Sequence, residues 1–184
     1  MKGQISFVEY LAAISLFIIS VVYISIQLIG FVPAYLNEVN DERVRIDTYQ
    51  ISELLVNDPG DPINWYSASP VCQKGSVGIC RMGLLNESIN ATNFLSLEKI
   101  QTLNTSCNAP GGYDNVKRNI SSIGDFSIVL FNRTKASGSC VPAPFCILIN
   151  CTPPVPFSSL TTNTMRRIVA IDSNDIGELI VQSG

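Results

Sequence analysis

The chain has 184 residues, of which 46% are hydrophobic and only 15% charged, and its formal net charge is −3. No Lys/Arg cluster lies in the second half, which argues against nucleic acid as a partner, because that partner needs a basic footprint to displace counterions. His is absent, so the common His-dependent catalytic triads are missing and zinc loses its usual nitrogen ligands.

From Ile5 to Val32 the only charge is Glu9. At ~1.5 Å per residue, about 28 helical residues more than cover a hydrocarbon core of ~30 Å. Lys2 and the amino terminus precede this run, and Glu38, Asp41, Glu42 and Asp47 come after it against only Arg43 and Arg45. Positive charge is retained in the cytoplasm, so the amino end is expected inside and the rest of the chain outside. Pro33 is the first breaker and is expected to kink the helix rather than end it. Beyond it Leu36, Val39, Ile46, Tyr49, Leu54 and Leu55 fall near helical spacing with polar residues opposite, an amphipathic continuation. Asn57-Asp58-Pro59-Gly60-Asp61-Pro62 is the stop.

Residues 58–90 read as loop and hold Trp65 and Tyr66. Ser96 is expected to cap a short helix running to about Leu103, and Tyr113–Ile120 to form another. Four strands are then predicted, at 125–132, 145–150, 167–172 and 178–182, with Ser173–Gly177 closing the last two as a hairpin. The predicted class is α+β. A long helix kinked near Pro33 packs its C-terminal half on an antiparallel sheet in a disulfide-stapled domain. The expected divisions are 1–3, 4–57 and 58–184.

All six cysteines, Cys72, Cys80, Cys107, Cys140, Cys146 and Cys151, lie in the second part. An even number in an outside compartment points to disulfides, with a small Cys72–Cys80 loop and the other four pairing among themselves. No C-x-x-C pair occurs, so no metal site is expected. Asn-x-Ser/Thr occurs at Asn86, Asn90, Asn104, Asn119, Asn132 and Asn150. Six of the nine Asn from 86 to 150 qualify and none of the four before them does, which favours use of some as glycan acceptors.

Lys2-Gly3-Gln4-Ile5-Ser6-Phe7, followed by an early acid and a long apolar helix, resembles the class III signal segment of archaeal type IV pilins and pilin-like proteins. The motif covers about the first 30 residues, and the helix-then-β-domain order resembles the family in architecture. The resemblance implies cutting by a prepilin peptidase between Gly3 and Gln4, departure from the membrane, and packing of the apolar helices in a filament core. It also implies an assembly ATPase and a membrane platform protein as partners, besides other copies of the chain. In the family the early acid compensates the newly freed amino group of a neighbour and sets the axial register, a role that would fall to Glu9. The family acid is usually the fifth mature residue, whereas Glu9 is the sixth counted from Gln4. Cleavage after Gln4, a shifted pairing, or a minor pilin-like protein with a less demanding fit would account for the difference.

The expected function is a structural subunit, major or minor, of a type IV pilus-like filament, membrane-inserted as a precursor and then displayed on the cell surface for adhesion or surface contact. The alternative is a signal-anchored extracellular glycoprotein that never polymerises and acts as a binding module or receptor. No enzyme activity and no cofactor is expected: Asp114, Asp125, Asp172 and Asp175 read as turn and cap residues, and Trp65 and Tyr66 as packing.

Overall fold

A computed structural model describes residues 2–67, 80–89, 91–120, 122, 124–134, 146–157, 162–172 and 175–184, with backbone alone for 2–6. The chain divides into two compact units, Met1–Glu42 and Arg43–Gly184. Its first element, α1, is an α-helix from Lys2 to Asn57 with Pro33 inside it. Proline removes the hydrogen bond that residue 33 would donate to the Ile29 carbonyl, yet the helix continues past it. α1 stops where the breakers begin. Asp58 turns its side chain back to accept the Gly60 N–H at 2.7 Å, and Gly60 takes φ +90, a conformation costly for residues with a Cβ.

In the second unit the order after α1 is β1 (Phe94–Leu95), α2 (Leu97–Asn108), α3 (Gly112–Ile120), β2 (Phe126–Asn132), β3 (Cys146–Cys151), β4 (Asn163–Ile171) and β5 (Asp175–Ser183). The strands make one sheet in the order β1-β4-β5-β2-β3. The class is α+β, but the sheet is mixed rather than antiparallel. β1 runs parallel to β4, pairing Phe94 with Ala170 and Leu95 with Ile171. Two residues cannot display an alternating pattern, so this strand carries no periodic signal. β4 and β5 also start earlier than the apolar pattern suggests. Thr164 and Arg166 are exposed polar positions of a strand whose register with β5 runs from Asn163↔Ser183 to Ile171↔Asp175.

One core holds the unit together. Ile51, Leu55 and Val56 of α1 join Ile100 and Leu103 of α2, Val116 of α3, and strand residues including Ile128, Leu130, Leu179 and Val181, all at most 2% exposed. Each such side chain contributes about 1.5–3 kcal/mol by leaving water. Polar bonds fix how α1 meets the sheet. The Thr48 and Ser183 hydroxyls lie 2.5 Å apart, Ser183 Oγ donates to the Val44 carbonyl, and Arg167 of β4 bonds Ser52 and Glu53.

α2 runs to Asn108, five residues beyond the expected end. Ser96 occupies the N-cap position, but its side chain makes no capping bond. Asp172, just past β4, performs that role by accepting the Leu97 N–H at 2.9 Å. The far end of α2 is held by a disulfide between Cys107 and Cys151, with a Cα–Cα distance of 5.6 Å. Tyr113 of α3 serves the end of β2. Its hydroxyl donates to the Phe126 carbonyl at 2.9 Å and accepts the Phe126 N–H at 2.8 Å. The ladder of β3 on β2 begins only at Ile128, so the phenol supplies bonds that no strand provides there. Burial pushes the Tyr113 phenol above its ordinary range, which keeps the donating proton in place.

Candidate functional site

The residues that set this chain apart lie in the first unit. Large apolar side chains from Phe7 to Val32 are uncovered, with Phe7 64%, Phe17 70% and Ile29 75% exposed. A soluble protein seldom leaves so large a contiguous apolar surface in water. By length and composition, α1 is long and apolar enough to cross a membrane. Three of its polar groups are suited to apolar surroundings. Ser15, Ser20 and Ser25 donate to the carbonyls of Leu11, Leu16 and Val21 at 2.8–2.9 Å, so their hydroxyl protons need no outside acceptor. Glu9 is the only charge from Ile5 to Val32. It is exposed on the same helix, and a carboxylate has no internal way to meet its charge.

Gly3 and Gln4 lie in the first turn of α1. A peptidase acting between them, or after Gln4, would meet a helix end, the part of a helix that frays most readily.

Among the glycan-acceptor candidates, Asn90 lies outside the described residues. Asn132 does not present an acceptor nitrogen in the folded chain. It is 3% exposed, its amide donates to Asp175 at 2.8 Å, and its oxygen accepts the Thr134 N–H. The Asn86 amide donates to Asp172, and its oxygen accepts the Ser88 N–H. Asn119 is half-buried, with its amide nitrogen enclosed and without a hydrogen-bond partner among the described residues. Asn104 and Asn150 come together, the Asn150 N–H donating to Asn104 Oδ1 at 3.0 Å. Asn150 is the exposed member of that pair.

Cys107 and Cys151 are joined to each other, while Cys80 and Cys146 each belong to a different disulfide. Cys72 and Cys140 lie outside the described residues, and with Cys72 the expected Cys72–Cys80 loop. Three of the four aspartates named above serve the fold. Asp172 caps α2, Asp125 pairs with Lys117 at 2.7 Å, and Asp175 holds Asn132. Among the described residues no group of three His, Cys, Asp or Glu could hold a metal ion.

The composition gave no hint of Lys99. It is 1% exposed and donates to the Pro59 and Leu85 carbonyls at 2.9 Å and to Glu87 at 2.7 Å, using all three ammonium protons. Around it the loop is tightly built. The Trp65 indole N–H donates to the Gly83 carbonyl at 3.0 Å, and a Cβ on Gly83 would lie 2.0 Å from the Asp58 carbonyl oxygen. The signal was present in spacing alone: Lys99 sits four residues before Leu103, on the stripe that α2 buries. Trp65 and Tyr66 belong to this packing, with the Lys99 ammonium 5.6 Å from the Tyr66 ring centroid.

No protein-family model, no curated protein and no solved structure matches this chain.

Proposed function

We propose that the chain is a structural subunit of an extracellular type IV pilus-like filament, inserted in the membrane as a precursor and polymerised through its N-terminal helix. One observation carries the proposal: the large apolar side chains from Phe7 to Val32 are exposed, and Glu9 is the only charge between Ile5 and Val32. A membrane anchor needs the apolar surface but gains nothing from Glu9, since an unpaired charge there costs several kcal/mol. A helix that leaves lipid for the core of a bundle of identical helices needs both. Its apolar surface stays dry, and the acid meets a cation of the neighbouring chain. The resemblance of Lys2-Gly3-Gln4-Ile5-Ser6-Phe7 and the adjoining apolar run to a class III signal segment supports the same conclusion, with a prepilin peptidase, an assembly ATPase and a platform protein as the partners it would require. The disulfide-stapled second unit would then face the medium and make surface contacts.

Sheared surface material from cells expressing the chain should contain filaments that bear it, seen by electron microscopy with an antibody against the second unit. Cells that carry the chain in the membrane but show no such filaments would favour the alternative, a signal-anchored surface glycoprotein that does not polymerise.

A further inference from the structure

Among the described residues, much of one edge of β4 is without a neighbouring strand. β1 pairs only with Ala170 and Ile171 at its end, leaving the stretch from Thr164 to Ile168 beyond reach. The direction of the backbone groups follows from the bonds at that end. Ala170 and Asp172 donate to the Asn93 and Leu95 carbonyls, so the even-numbered residues of β4 turn their N–H and C=O groups away from β5. The groups of Thr164, Arg166 and Ile168 point the same way, and among the described residues none receives a backbone partner on that side. The side chains of these three residues are exposed as well. Ile168 is 68% and the Arg166 side chain 69% accessible. Arg166 only grazes Glu178, at 3.7 Å, and that carboxylate is held more closely by Arg133.

We propose that the Thr164–Ile168 edge of β4 is a docking strip that takes an extended, carboxylate-bearing segment of a partner chain as an added strand. Main-chain groups facing outward at every second residue are what an extended peptide satisfies. The strip spans ~14 Å at ~3.4 Å per residue, room for a segment of about five residues. Charge selects the occupant. An acid opposite Arg166 gains a cross-strand partner, and an apolar side chain beside it covers Ile168. A second copy of the same edge fits poorly, because laying β4 antiparallel on itself about Arg166 sets guanidinium against guanidinium. The strip is independent of the filament proposal, since it needs only the second unit's sheet.

The probe is a short peptide, acetyl-Val-Thr-Glu-Thr-Val-amide, which sets its acid and its two apolar side chains on one face, with a Lys-for-Glu peptide as control, added to the full chain in detergent. Hydrogen exchange at the amides of Thr164, Arg166 and Ile168 should slow on adding the acidic peptide. The Met165 and Arg167 amides, which face β5, should not change. The acidic peptide should bind about tenfold tighter than the basic one, the sum of a gained and an avoided charge contact. Arg166→Glu, at an exposed position, should reverse that order. Thr164→Pro removes an outward N–H without touching the ladder to β5, and should weaken both peptides. Absence of protection at the three amides would overturn the proposal and leave Arg166 as a guard that keeps the edge unpaired. Equal binding of both peptides to the native chain and to Arg166→Glu would overturn it too.

Discussion

Glu9→Gln is expected to abolish filament assembly while leaving the chain inserted in the membrane. The two steps ask opposite things of residue 9. Insertion depends on the apolar run from Ile5 to Val32, which the substitution makes slightly more apolar. Assembly in the proposed filament depends on a charge pair formed where water is excluded. Removing one member leaves the other, the freed amino group of a neighbouring chain, buried without compensation. That situation costs about 3–5 kcal/mol, or roughly a hundredfold to several thousandfold in the affinity of each subunit for the growing end. The amide is nearly isosteric, so packing is held constant and the loss reports on charge. Counting filaments by electron microscopy, against the membrane content of the chain by immunoblot, separates the two effects. Normal filaments from the Gln variant would remove Glu9 from the assembly mechanism.

The largest expected effect on the second unit comes from Lys99. Replacing it with Ala should lower unfolding free energy by about 2–4 kcal/mol, from orphaned carbonyls and a small cavity together. The ammonium joins three pieces of chain: Pro59 after α1, Leu85 and Glu87 in the loop, and α2 itself. Lys99→Met, which keeps the apolar stem, should lose less, about 1–3 kcal/mol, because only the donors are missing. Glu87 is 41% exposed and can return to water, so it adds little to the cost. Denaturant titration of the full chain in detergent, with Trp65 fluorescence as the signal, would rank the two variants. The indole is 3% exposed beside this cluster and reports its opening. A Met variant as stable as the native chain would mean that the ammonium contributes nothing net.

Much of this architecture is written in local patterns. The end of α1 at Asn57 follows from a run of Asp, Pro and Gly, and the cores of β2 and β3 from short apolar runs beside breakers. What the sequence hides is whatever depends on distant partners. β1 exists only because Ala170 and Ile171 lie beside Phe94 and Leu95. The cap of α2 comes from Asp172 rather than from Ser96 at its own start. Spacing places Lys99 on the buried stripe of α2, but its partners, the carbonyls of Pro59 and Leu85, come from distant chain. Asn132 shows the converse. Its Asn-Arg-Thr pattern marks a glycan acceptor in the sequence, while the fold buries its amide against Asp175. The candidate site is the most legible part, because a single acid in a long apolar run needs no tertiary contact to be noticed.

The intact mass of the chain recovered from sheared surface material tests the proposed filament subunit most directly. A processed subunit lacks Met1-Lys2-Gly3, or those residues and Gln4 if the cut falls one bond later, and begins its apolar helix within a few residues of a free amino group. Recovery of the chain with Met1 still in place would contradict it.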